Sequence, residues 1–251
     1  MVNHMPVEMP KQLGKSPLLE AVFELRFEPA GPAVGDLLPG LLYSPLKAEY
    51  PQLVPLPMAS IPREMREKRP ELLYQASHRL TGGSNSVQVG DRVISLSSAA
   101  YPGWARFKDM VEFLIEAVNG TGLIKQVDRF SFKYVNIIEA SQTEQQLSLL
   151  NARIELIGKL PSEKGFRLRV EREDSGCVTI IEIMTHTQAI VSSTSKEVSG
   201  LLITVDTLRP GIDRAFLTSP SGLLEEVHSV AKDTFYSLLT DATLKRLEPV
   251  C

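Results

Sequence analysis

The sequence predicts an α+β protein in which antiparallel meander sheets pack on long helices. Apolar and polar residues alternate in several short segments, most clearly in DRFSFKYVNII at residues 128–138. Two long segments, residues 101–119 and 221–244, space their apolar residues at helical period instead. Turn-forming pairs join neighbouring strand-like segments directly, which antiparallel hairpins permit and parallel strands do not.

The first strand is expected at residues 16–27, where Ala21, Phe23, Leu25 and Phe27 alternate with Val22, Glu24 and Arg26. Residues 33–50 carry Leu37, Leu38, Leu41, Leu42 and Leu46 at helical spacing, but Gly40 and Pro45 predict a short or broken helix. Proline-punctuated residues 51–70 are expected to be irregular, followed by a strand over 71–80. Residues 86–89 and 92–96 flank Gly90-Asp91, a pair suited to a tight hairpin turn. In the helix at 101–119, Pro102 fits an early position, Trp104, Phe107, Val111, Leu114 and Val118 trace one face, and Gly120 closes the end.

Residues 128–138 come next as a strand with Phe130, Phe132 and Tyr134 on one parity and Arg129, Ser131 and Lys133 on the other. A short helix is expected at 144–150, then strands at 152–158, 166–173, 177–184 and 201–208, with Asp174-Ser175-Gly176 turning the central hairpin. The helix at 221–244 would bury Leu224, Val227, Ala231, Phe235, Leu238 and Leu239. This order divides into an arm at 1–15 and two α+β units at 16–125 and 126–247, packed as one body. Both follow strand, helix, meander, long helix, so an internal duplication of a TATA-binding-protein-like or helix-grip-like unit is expected without residue-level repetition. That topological analogy carries no function.

With 251 residues and 43% hydrophobic content, the chain supports a substantial core. Its 27 basic and 30 acidic residues leave a net charge of −3, which disfavours wholesale electrostatic capture of nucleic acid. The mixed-charge run at 63–69 is expected to be a solvated loop. No apolar run suits a signal peptide or a membrane span, so a cytoplasmic location without membrane association is expected. Met5 offers an alternative start that would make residues 1–4 an expression remnant. Cys177 and Cys251 form no disulfide framework or metal-ligand pattern and are expected as unpaired thiols.

His4, His78, His186 and His228 lack zinc-site spacing and a nucleophile beside them; no cofactor and no catalytic or metal residue is assigned. Thr81-Gly82-Gly83-Ser84 is a turn lacking the Lys-Ser/Thr completion of a phosphate loop, and residues 191–196 suit a polar loop. Two readings compete for the ringed strand. Exposed rings would stack on single-stranded nucleic acid at roughly 1–3 kcal/mol per base. Buried rings would build the core against the Trp104 helix, leaving recognition to polar neighbours. The second requires less, since the segment lacks the glycines that let bases approach a backbone. Arg129, Lys133, Asn136 and Asp206 are therefore the candidate partner-binding residues, with Arg129, Asn136 and Asp206 forming one polar constellation if their strands adjoin.

Residues 17–27, then Tyr101, Trp104 and Phe107, then Arg129 through Tyr134 to Asn136, and finally residues 201–206 resemble a sporadically distributed prokaryotic family of roughly 250-residue uncharacterised proteins. Its members often sit near defence or mobile-element genes. The resemblance spans about residues 16–247. Departures are Leu72-Leu73-Tyr74 in place of a tryptophan-aromatic pair, Lys133 in place of arginine, and Thr204 in place of an acidic residue. The resemblance implies an architecture and a defence setting, and no catalytic residues. The function expected from all this is a non-enzymatic binding or adaptor protein that uses a groove between its units or a sheet face to hold a protein, peptide or small ligand, the first being the product of a neighbouring gene. Single-stranded nucleic-acid binding or sensing is the alternative, and a hydrolase built from Asp206 and His186 ranks last. The sequence leaves the oligomeric state open.

Overall fold

In strand Leu18–Pro29, Ala21, Phe23, Leu25 and Phe27 are buried and Val22, Glu24 and Arg26 are only half-covered, so period-two alternation becomes a two-faced strand. The computed structural model describes residues 10, 12–155, 165–191 and 194–250. In chain order the elements are β1 (Gln12–Leu13), β2 (Leu18–Pro29), α1 (Val34–Leu46), β3 (Gln52–Pro55), α2 (Arg63–Glu67), β4 (Ala76–Gly82), β5 (Asn85–Gly90), β6 (Val93–Ser98), α3 (Trp104–Gly120), β7 (Ile124–Glu139), α4 (Thr143–Ser148), β8 (Arg167–Asp174), β9 (Cys177–Val191), β10 (Lys196–Pro210), α5 (Ser221–Ser237), α6 (Asp241–Arg246) and β11 (Pro249–Val250).

The architecture is α+β, but the expected separate meanders are one sheet. Nine strands run in the order β3-β4-β5-β6-β2-β7-β10-β9-β8, all antiparallel, and β1 pairs with β11 apart from them. At the centre β2 pairs with β7, Phe23 opposite Phe132 and Ala21 opposite Tyr134. Two long strands with matching apolar faces remove each other's unpaired edge. Phe130 and Phe132 have no exposed surface and Tyr134 only 9%, so the rings build the core. Phe23 meets Phe132 at 5.6 Å between ring centroids, and Phe130 stacks on Phe216 at 4.6 Å. Buried residues of α1, α3 and α5 join the same apolar cluster.

Several boundaries differ from expectation for identifiable reasons. Helix α1 is continuous although Pro39 and Pro45 lie inside it. Full burial of Leu38, Leu42 and Leu46, worth roughly 1.5–3 kcal/mol each, offsets the missing amide donors. The expected strand at 71–80 starts only at Ala76, because residues 70–74 form a turn in which Leu72 N–H donates to Arg69 and Gln75 N–H to Leu72. The expected irregular stretch at 51–70 contains edge strand β3 and helix α2. The helix expected at 221–244 is interrupted after Ser237, where the Thr240 hydroxyl accepts from the Thr243 N–H and caps α6. Of the strand expected at 152–158, residues 152–155 are not strand and the rest lies outside the described residues. Residues 192–193 of the expected polar loop, His4 and Cys251 also lie outside them. The β8–β9 turn uses Ser175 and Gly176 at φ 51° and 72°, the left-handed pair that a tight hairpin requires.

Candidate functional site

The period-two pattern separates the sequence-predicted site residues. Lys133 lies opposite Asp206 across β7 and β10, and Arg129 shares their face of the sheet. Asn136 shares the parity of Phe132 and Tyr134 and faces the helices, so the expected Arg129–Asn136–Asp206 constellation does not form. Arg129 is instead held by Glu24 at 3.1 Å, and the same carboxylate takes Arg26 at 2.7 Å. Arg26 in turn lies 4.2 Å from the Tyr74 ring centroid. Burial raises the Asp206 carboxyl above the usual range, opposed by Ser131 and Lys133, and its Oδ1 has no hydrogen-bond partner among the described residues. Lys133 is exposed.

Other candidates resolve into local structure. The run at 63–69 is not a solvated loop: Arg66 is 5% exposed and pairs with Asp91 at 3.2 Å and Asp36 at 3.7 Å. The His186 ring bonds the Thr143 hydroxyl at 2.8 Å, and its backbone N–H donates to Gln146. It sits beside Gly200, six residues along β10 from Asp206, a span of about 20 Å, so these two hydrolase candidates are not assembled. Among the described residues no group of three His, Cys, Asp or Glu residues is placed to hold a metal, and no helix is long and apolar enough to cross a membrane.

On the helix-covered face, however, β7, the start of α3, the middle of α5 and the residues Gln12, Leu13, Ser16, Pro17 and Leu18 line a half-open cavity of about 400 Å³. Its position follows from the chain's two long helices. Gly103, at φ 91°, turns the backbone through a conformation suited to glycine and sends α3 off with Trp104 as its first residue. The Trp104 ring stacks on His228 of α5 at 3.7 Å and meets Phe132 edge-on at 5.3 Å. Its indole N–H donates to the Glu225 carboxylate at 3.0 Å, which also accepts from Lys108 at 3.1 Å. Burial opposes ionisation of Glu225, but those two hydrogen bonds outweigh it and hold the carboxyl below its ordinary range. One residue of α5 thus ties down two of α3.

Inside the cavity, the Tyr134 hydroxyl and His228 Nδ1 are hydrogen-bonded at 2.9 Å, and the Tyr101 ring stands edge-on to Tyr134 at 6.2 Å. Burial pushes His228 down to about 4, outweighing the attraction of Glu225, so the imidazole is neutral near neutral pH. Burial also raises Tyr101, Tyr134 and Tyr236, keeping their phenols protonated. Phe235 and Tyr236 complete the aromatic walls, and Asn136 and Lys232 add an amide and an ammonium. The sequence singles out Trp104 and Asn136, gives His228 no role among its four histidines, and does not single out Lys232 or Tyr236. The available signal was His228 four residues after Leu224, a polar residue on the stripe that continues through Ala231 and Phe235.

Comparison with models of known protein families finds no match, and comparison with curated proteins finds none.

Proposed function

We propose that this chain is a binding or adaptor protein whose ligand site is the cavity between α3 and α5. The observation that carries the reading is the aromatic enclosure of about 400 Å³, within the roughly 300–1,000 Å³ of small-ligand sites. Its Tyr134–His228 pair is internally hydrogen-bonded, and Ser16, the one serine lining the cavity among the described residues, accepts from the Leu18 N–H and makes no described hydrogen bond to the imidazole. Such a lining suits holding a molecule better than transforming one. The cavity lies where α3 and α5 meet, and an origin by internal duplication would account for the antiparallel meanders that flank β2 and β7, four strands beyond β2 and three beyond β7. The family resemblance supports a cytoplasmic role in a prokaryotic defence module, with a partner encoded by a neighbouring gene. Stacking of single-stranded nucleic acid on Phe130 and Phe132 is disfavoured because neither ring has exposed surface.

Trp104 is the sole tryptophan and lines the cavity, so its emission is a specific reporter. Titration with the neutral dye N-phenyl-1-naphthylamine should give saturable energy transfer from Trp104 at one dye per chain. Absence of saturable transfer across the dye's soluble range would remove the cavity as a binding site.

A further inference from the structure

The charges around the cavity are lopsided. Lys232 is its only lining lysine or arginine among the described residues, and no aspartate or glutamate lines it. Of the acids of α5, Glu225 is engaged by Lys108 and Glu226 by Arg209, and Asp233 is exposed and does not line the cavity. The Lys232 ammonium lies 5.8 Å from the centroid of the Tyr236 ring, itself part of the wall. Asn136 is 4% exposed, lines the same space, and makes no side-chain hydrogen bond among the described residues. Among the described residues, the Asn136 amide and the Lys232 ammonium share an aromatic-walled pocket with no carboxylate in its lining, so both can donate to an acceptor bound there.

We propose that the cavity binds a carboxylate carried on a flat apolar body, with Lys232 as the counter-charge, Asn136 as a hydrogen-bond donor and the rings of Trp104, Tyr134 and Tyr236 as walls. This inference rests on the binding reading above. The sign follows from the lining, since a cationic ligand would add a second positive charge to a site whose described residues include no acid. The valence follows from the one lysine that lines the cavity among the described residues. One lysine balances one negative charge, and a phosphate dianion would leave a charge uncompensated against aromatic rings. The protonated phenols of Tyr101 and Tyr236 are further donors, consistent with an anionic acceptor.

The test uses 1-naphthoate and 1-naphthamide, which share a ring system and differ in charge, titrated against the full chain by Trp104 quenching at neutral pH. Naphthoate should bind about tenfold more tightly or better, as expected of a charge-assisted hydrogen bond. Lys232→Met, which keeps the aliphatic stem, should erase that preference by weakening naphthoate far more than naphthamide, and Lys232→Arg should retain it. Equal affinity for the two compounds, or undiminished naphthoate preference in Lys232→Met, overturns the carboxylate assignment while dye binding leaves the cavity reading standing. Failure of the neutral dye as well overturns both. N-acetylphenylalanylglycylphenylalanine with a free C-terminus adds an arm for the source of the carboxylate. Binding comparable to naphthoate supports a chain terminus, and selective naphthoate binding supports a free aryl acid; either result supports the carboxylate.

Discussion

The two faces of the central strands obey different electrostatic rules. On the reverse face, Glu24 neutralises both Arg26 and Arg129, and Lys133 stands across from Asp206. On the helix-covered face, His228 and the tyrosines are kept uncharged by burial, and Lys232 remains without a carboxylate partner among the described residues. Charge on the first surface is largely compensated within the chain. Polar capacity on the second is left open inside a cavity, the place of the proposed ligand site.

The largest expected effect tests whether the rings are structural. Phe132→Ala should cost about 3–5 kcal/mol, the range for truncating a core aromatic, read as a lower urea midpoint at unchanged slope. A loss below about 1 kcal/mol would place Phe132 outside the load of the core and reopen the stacking surface.

A smaller effect tests the neutral imidazole. His228 has a folded-state value of about 4 against an ordinary 6.5, so below 6.5 the unfolded chain takes up the proton first and the folded chain follows only near 4. Stability therefore rises with pH across that window and is lost on acidification through it. The groups facing the ring are Glu225, which favours protonation, and Lys232, which opposes it. Relative to His228→Gln, the wild type should lose on the order of 2–3 kcal/mol between the upper and lower ends of this window, measured by urea unfolding at a pH series. Parallel pH profiles for the two proteins would show that the ring is protonated as easily folded as unfolded.

The smallest effect belongs to the reverse face and carries the opposite sign. Burial raises the Asp206 carboxyl, so the wild type gains stability as pH falls through the folded-state value and has it in full below the ordinary 3.8. At pH 7 the ionised form is the penalised one, and Asp206→Asn should stabilise the fold by about 0.5–1 kcal/mol, with the advantage shrinking on acidification. Destabilisation at pH 7 would mean that the attraction of Lys133 exceeds the cost of burial, making that pair part of the compensated network.

Strands were legible where one face is apolar and the other polar. Residues 21–27 and 130–134 determine their orientation by alternation alone. The same alternation put Asn136 with the rings, yet residue type drew it toward Arg129 and Asp206, and parity prevailed. Pairing of β2 with β7 was not legible, because over 100 residues separate Phe23 from Phe132 and nothing local encodes the register. The cavity was harder still. Each of its walls has a sound local reason to be apolar, and the space arises only where Gly103, Trp104 and His228 set α3 against α5. Lys232 illustrates the limit: as sequence it is one of 27 basic residues, and its place in a cavity lined by no acid among the described residues exists only in three dimensions.

The central seam also governs how the chain can be assembled. Strand β2 emerges early but its eleven register partners on β7 begin only at Ile124, so an apolar edge must wait for sequence far downstream. Closing so distant a contact is slow relative to local hairpins. A polypeptide cut in the Thr121–Leu123 turn should leave two fragments with complementary exposed borders, each prone to aggregate alone and able to rescue the other on mixing.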